Sequence, residues 1–227
     1  AVILLAHGFK RDLSTMRGWA SHWAAAGIPV VIPSLCRSSW LQGRHAQNAD
    51  DLIALRAHLG IRKTIYAGFS AGGLAAYLAA LEDQTTIAYL GLDPVDSGKL
   101  AAKASKRLQV QGLFLFAGAS ICNGRNNFLP LAEKLALSEV LQLGHATHCE
   151  FEWPFDSKCN WVCSRSDNHS PAEVQREIRQ LIDDDESWRS ILRGLNRDFA
   201  RQIVTGARVE EYIAAESGLD LDRVFDQ

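Results

Sequence analysis

The sequence predicts an α/β fold: a doubly wound, mostly parallel sheet of about six strands with helices on both faces. Short β-branched or apolar runs alternate with longer helical patterns, the signature of strands joined by crossover helices. The longest apolar stretches, such as those at 28–33 and 112–118, are strand-sized and far short of a membrane span. A chain of 227 residues that is 47% hydrophobic can build one sizeable core, and a single domain over 1–227 is expected.

The expected strands are Val2 to Ala6, Pro29 to Pro33, Thr64 to Gly68, Ile87 to Leu92, Leu113 to Ala117 and Glu139 to Leu143. Between them the pattern predicts helices at Ser14 to Ala26, Ala46 to Leu59, Ala71 to Leu81 and Phe128 to Leu137. From Ser170 the texture changes. Ser-Pro-Ala-Glu at 170–173 reads as a helix start leading to Ile182, and the acidic patch Asp183 to Glu186 opens a further helix from Ser187 to Val204. A third is expected over Val209 to Ser217. These form a solvated helical layer on the sheet. No repeat or low-complexity linker suggests a domain boundary. In an open sheet of this kind ligands bind beyond the carboxyl ends of the strands, so function is expected in the loops that follow them.

A formal charge of −2 provides no electropositive field, and Lys and Arg form no phosphate-tracking cluster, which argues against a nucleic-acid partner. No cofactor is expected. Of the five cysteines, Cys149, Cys159 and Cys163 lie close together and suit one or two disulfides in an oxidising compartment, with at least one thiol left over. A metal site reads more weakly, because Cys159 and Cys163 lack a second Cys/His pair at finger-like spacing. The cysteines, and a chain that opens at Ala1 and runs directly into an apolar strand, slightly favour an extracytoplasmic setting, secreted or periplasmic.

The chemistry-bearing motif is Gly68-Phe-Ser70-Ala-Gly72, between the apolar run 64–68 and an Ala-rich helix. Gly-x-Ser-x-Gly alone is only moderately informative, but the strand before and helix after are what a nucleophile elbow requires. The flanking glycines are expected to let the chain turn sharply and expose the Ser70 hydroxyl, with the positive end of the helix facing a developing oxyanion. The plain alternative is a Gly-rich strand-to-helix turn. A second feature, Leu5-Ala-His7-Gly-Phe9, ends the first strand. Acyl transfer needs two N–H donors on the tetrahedral oxygen, from the residue after the nucleophile and from this earlier loop; they are assigned to Ala71 and Phe9. His7 precedes the serine and is expected only to hydrogen-bond loop backbone.

A serine hydroxyl needs an imidazole base, and the imidazole needs a carboxylate. For a nucleophile on such an elbow the order is serine, acid, histidine. Of seven histidines, His145, His148 and His169 follow a plausible acid. His148 is the preferred base, deeper in the loop after the last strand and with chain enough to fold back over the elbow; His145 is the alternative, and His169 reads as a cap for the helix near Ser170. The acid commonly follows the strand before the histidine strand, but 116–127 contains no carboxylate. One strand earlier, Leu92-Asp93-Pro-Val-Asp96 places an aspartate just past a strand end. Asp93 is the candidate, with Asp96 in reserve; in isolation Asp93-Pro94 would read as a turn.

These three motifs resemble those of the α/β-hydrolases, in particular the chlorophyllase-like and polyester-hydrolase-like branch. Chlorophyllase-type sequences have an elbow like Gly68 to Gly73 and a strand ending like Leu92 to Asp96, with the first aspartate as acid. Bacterial relatives have a segment similar to Gly144 to Glu152, whose base aligns with His148, and a cysteine-rich stretch like Cys149 to Cys163 that would brace the histidine loop. The resemblance covers Val2 to about Cys163, lacks the extra opening strands of many members, and departs from plant chlorophyllases at Ala71, so their substrate is not implied. It implies a serine hydrolase of carboxylic esters, with a small-molecule or lipid-like ester as substrate. Phe9, Trp40, Phe69, Trp153, Phe155 and Trp161 would either line an apolar pocket or serve as packing. Thioesterases, lipases and acyltransferases use the same machinery, and a binding protein can retain such a scaffold.

Overall fold

The computed structural model describes residues 1–35, 43–156, 159, 162–163 and 170–193. Six strands form one sheet: β1 (Val2–Ala6), β2 (Val30–Val31), β3 (Thr64–Phe69), β4 (Thr86–Leu92), β5 (Gln111–Ala117) and β6 (Ser138–Leu143). They lie in the order β2-β1-β3-β4-β5-β6, every pairing parallel. The helices are α1 (Arg17–Ala25), α2 (His45–His58), α3 (Ser70–Glu82), α4 (Leu100–Lys103), α5 (Leu129–Ala132) and α6 (Pro171–Asp184). No helix among the described residues is long and apolar enough to cross a membrane.

Strand side chains alternate between two cores. On one face Ile3, Leu5, Ile65, Ala67, Phe69, Leu90, Leu92, Leu113 and Leu115 pack with Trp19 and Trp23 of α1 and Val174, Ile178 and Ile182 of α6. On the other, Leu4, Tyr66, Tyr89, Phe114 and Phe116 meet Leu52 of α2 and Leu74, Ala75 and Ala79 of α3. This period of two, with both phases apolar, is why the central strands read as continuous hydrophobic runs.

Two elements are shorter than their sequence patterns suggest, and a third differs in kind. The strand expected over Pro29 to Pro33 pairs only at Val30 and Val31, against Ile3 and Leu4; the flanking prolines donate no ladder hydrogen bond. The helix expected over Phe128 to Leu137 is a single turn, because the chain must leave it in time to pair Ser138 with Gly112. The first helix starts with a 3-10 turn, Leu13–Met16, that Asp12 caps through the Ser14 N–H. At the C-terminal end, α6 reaches Asp184 and a further helix runs over 186–193, the Asp185 carboxylate accepting from the Trp188 N–H. The helix expected over Val209 to Ser217 and the rest of that predicted to Val204 lie outside the described residues.

The strand order fixes where a site can form. The helix after β1 lies on one face and the helix after β3 on the other, so the chain diverges between these adjacent strands, whose ends are in register at Ala6 and Gly68. Such a switch point leaves a crevice at the carboxyl edge. The wall of that crevice is tight: a Cβ on Gly72 in the first turn of α3 would stand 2.2 Å from the His7 carbonyl oxygen and 2.6 Å from that of Ala6. Gly72→Ala is therefore expected to push α3 away from the end of β1, lowering stability by about 1–3 kcal/mol as overpacking does, measurable by chemical denaturation.

Candidate active site

Ser70 is the first residue of α3 and has φ +54°, while Phe69 before it is still extended. A non-glycine residue held in the left-handed region is strained, and such strain collects at functional sites. The positive φ is carried by the serine itself. The glycines around it have a different task from the one the sequence suggests: they permit close approach, a Cβ on Gly68 meeting the Gly72 backbone at 2.6 Å and one on Gly73 meeting Pro94 at 2.9 Å.

Asp93, immediately past β4, also has positive φ, +44°, a conformation Asp tolerates better than most residues. It is fully buried, and its N–H donates to the Leu115 carbonyl at 2.8 Å, extending the pairing of β4 with β5. His148 comes from the loop after β6, three strand spacings or about 14 Å from β3. The loop crosses back over the strand ends. It is fastened on the way by Gly118 N–H to the Ala146 carbonyl, 2.9 Å, and enters a 3-10 turn, His148–Phe151, with Glu150 accepting from the Thr147 N–H at 2.7 Å.

These three side chains meet in one line. His148 Nε2 is 3.0 Å from Ser70 Oγ, and His148 Nδ1 is 2.6 Å from Asp93 Oδ2. With the carboxylate accepting at Nδ1–H, the ring nitrogen left facing the serine is an acceptor. The Phe69 ring lies against the imidazole, centroids 4.7 Å apart. Asp93 Oδ1 accepts from the Ala117 N–H at 3.0 Å, and the Asn123 amide donates to both carboxylate oxygens. Asn123, which sequence reasoning passed over for want of a charge, thus joins the acid from the loop after β5.

The alternatives fall elsewhere. Asp96 turns away from the imidazole and accepts from the Ala101 and Ala102 N–H groups at the start of α4, 2.9 and 3.0 Å. His145 pairs with Glu177 of α6 at 2.8 Å. His7 is buried and accepts the Leu35 N–H on Nε2 at 3.0 Å while its Nδ1 donates to the Gly8 carbonyl at 2.9 Å; burial holds its pKa below the usual histidine value. Ala71 occupies the first turn of α3, where N–H groups lack an acceptor within the helix, and Phe9 lies half-buried in the loop that α3 abuts. Trp153 is packing: a Cβ on Gly18 would strike its ring at 2.3 Å, and the Arg179 guanidinium lies 4.4 Å above it. Trp40, Trp161 and His169 lie outside the described residues.

Two sets of links hold the loops that deliver these groups. Disulfides join Cys149 to Cys159 and Cys122 to Cys163, so one cysteine of each neighbours His148 or Asn123; Cys36 lies outside the described residues. Arg11, two residues after Phe9, forms a bidentate pair with Glu152 at 2.6 and 2.8 Å and also reaches Asp156. Sequence reasoning missed this pair, whose partners stand 141 positions apart. Burial pushes the Glu152 carboxyl above its usual range, with Arg11 pulling the other way. Burial works against the Arg11 charge too, but Glu152 and Asp156 outweigh it and hold its pKa above the ordinary value.

Two solved structures share this architecture. A protein of the α/β-hydrolase superfamily from Xanthomonas campestris pv. campestris matches with a TM-score of 0.52 at 18% identity, over 63% of this chain and 85% of that one. Dienelactone hydrolase from Anabaena variabilis matches with a TM-score of 0.54 at 22% identity, over 63% of this chain and 74% of that one. The fold is the α/β-hydrolase fold. No family model and no curated protein matches the chain. Within the α/β-hydrolase fold, the described strands are six, all parallel, with Ser70 on the strand-to-helix turn after β3.

Removing Arg11 strands a fully buried carboxylate. Arg11→Ala is expected to destabilise the fold by about 3 kcal/mol, the low end for a broken buried pair because Arg11 itself is 19% exposed. The pH dependence has a definite sign. Without Arg11 the folded-state Glu152 pKa rises further above its unfolded value, so the folded state binds the extra proton and stability falls as pH rises through that range. Urea denaturation of wild type and variant should show the deficit larger at pH 8 than at pH 5.

Proposed function

We propose that this chain is a serine hydrolase that cleaves carboxylic esters through an acyl-enzyme. The observation that carries the reading is the continuous line Ser70 Oγ, His148 Nε2, His148 Nδ1, Asp93 Oδ2, at 3.0 and 2.6 Å, on a strained strand-to-helix turn at the carboxyl edge of the sheet. The likeness of three separate motifs to the chlorophyllase-like and polyester-hydrolase-like branch supports the ester as substrate class.

In this mechanism Ser70 Oγ attacks the ester carbonyl while His148 Nε2 takes its proton. The imidazolium that forms is stabilised by the Asp93 carboxylate on Nδ1. The carbonyl oxygen becomes an anion held by the Ala71 and Phe9 N–H groups, with the N-terminal end of α3 adding its partial positive charge. Collapse of the tetrahedral adduct breaks the ester C–O bond, and His148 returns its proton to the leaving alkoxide. Water then repeats the sequence on the acyl-enzyme, releasing the acid and restoring Ser70.

Hydrolysis of short p-nitrophenyl esters tests the assignment. Ser70→Ala should lower kcat by at least about 10⁴-fold, the order seen when a triad serine is lost. Equal activity in wild type and variant would overturn the reading. Asp93→Asn should cost about 10⁴-fold by presenting the wrong donor to the imidazole. Asp96→Asn should leave kcat near wild type and lower stability by about 1 kcal/mol, as loss of a helix cap does.

A further inference from the structure

The loop 118–127 follows β5, the place from which an acid more usually reaches the histidine, and it holds no carboxylate. What it sends to the site is Asn123, fully buried. We infer that Asn123 is a positioning residue for the proposed hydrolysis: its side-chain amide fixes the orientation of the Asp93 carboxylate, with one oxygen on His148 Nδ1. The inference rests on the ester-hydrolase reading of the site and adds to it a residue that touches neither substrate nor imidazole.

The orientation of the amide is settled by its partners. Asn123 Oδ1 accepts from the Ser120 N–H at 2.8 Å and the Asn126 N–H at 3.3 Å. Two backbone donors can face only the oxygen, so the NH₂ group is the end that faces Asp93. From there it donates to the Gly118 carbonyl at 3.0 Å, to Asp93 Oδ2 at 3.2 Å and to Oδ1 at 3.4 Å. A residue needed only to close its own loop would require the bonds to Ser120, Asn126 and Gly118. The bonds to Asp93 span 30 positions and reach a different strand end.

Their effect on the carboxylate is specific. A carboxylate on a short side chain can rotate about Cβ–Cγ, and only one setting places Oδ2 on the imidazole. The Ala117 N–H holds Oδ1, and the Asn123 amide spans both oxygens, so rotation would break bonds at two donors at once. Asn is suited to this as Asp is not, since a second carboxylate at this distance would repel the first. The loop itself is held: Cys122 is bonded to Cys163, and Asn126 Nδ2 donates to the Ala117 carbonyl at 3.0 Å.

The test compares wild type, Asn123→Ala, Asp93→Asn and the double variant. Ester hydrolysis is normalised to the fraction of active sites that titrate, and NMR follows the downfield proton between His148 Nδ1 and Asp93. Asn123→Ala should lower kcat per active site by about 10- to 100-fold, the range for partners that orient a functional group. KM should stay unchanged and the downfield proton should move. With Asp93 already replaced, removing Asn123 should cost nothing more, because its effect passes through that carboxylate. The inference is overturned if kcat per active site stays at the wild-type value, if the two losses multiply in the double variant, or if the downfield proton is unmoved. Should Asn123→Ala fail to fold, Asn123→Ser keeps an acceptor for the Ser120 N–H without the amide that reaches Asp93, and the same outcomes decide. The NMR readout needs no turnover, so an idle Asn123 is told apart from a chain that hydrolyses no ester, which Ser70→Ala reveals.

Discussion

The carboxylate of Asp93 is the constraint around which the carboxyl edge of this sheet is built. An ionised group removed wholly from water costs several kcal/mol unless its lone pairs are met by fixed donors. Here the donors come from three places: the Ala117 N–H at the end of β5, the Asn123 amide in the loop beyond it, and the His148 ring from the loop after β6. Together they meet the lone pairs of a carboxylate that has no access to water. The geometry of two loops and a strand end is therefore dictated by one buried charge next to the serine elbow.

The same logic operates at the other end of the sheet with a different result. Asp83, between α3 and β4, accepts from Tyr66 Oη at 2.6 Å, from the Thr85 hydroxyl and N–H, and from Arg56 at 3.0 and 3.2 Å. Burial raises its carboxyl pKa, and these donors outweigh burial and bring it below the ordinary value. Each of those partners donates to the carboxylate. At the carboxyl edge the Asp93 line ends instead on a hydroxyl held at positive φ at the switch point. In the proposed hydrolysis this hydroxyl is the nucleophile that the line activates.

What was legible in the sequence follows from range. Gly68 to Gly72 and Asp93-Pro94 are local patterns whose meaning comes from the strand just before them, and His148 is preferred to His145 because it lies deeper in the loop after β6, with chain enough to return. The elements were legible where the apolar period was sustained, as in β3 and α3. They were read too long at β2, where prolines truncate the ladder, and at α5, where pairing of β6 ends the helix. Asn123, the Arg11–Glu152 pair and the Cys122–Cys163 bond left no local trace, since each links segments 30 to 141 positions apart. For Asn123 the signal that existed was negative: a loop at an acid's usual place with an amide where a carboxylate was sought.

His148 poses the harder structural problem, because it reaches the elbow from an edge strand on a loop and not from the sheet. A loop of that length has many conformations, and a ring mispositioned by 1 Å loses its hydrogen bond to one side or the other. The sheet cannot supply the rigidity, so covalent and ionic links do. Cys149 is tied to Cys159 directly after the imidazole, Glu152 is clamped by Arg11 of the loop after β1, and the Trp153 N–H donates to the Thr15 carbonyl at 2.8 Å while its own carbonyl accepts from Gly18 at 2.7 Å. The Arg11 clamp joins the loop bearing Phe9 to the loop bearing His148. A displacement of either therefore moves the proposed oxyanion donor and the proposed base together, which preserves their spacing even where it does not preserve their absolute position.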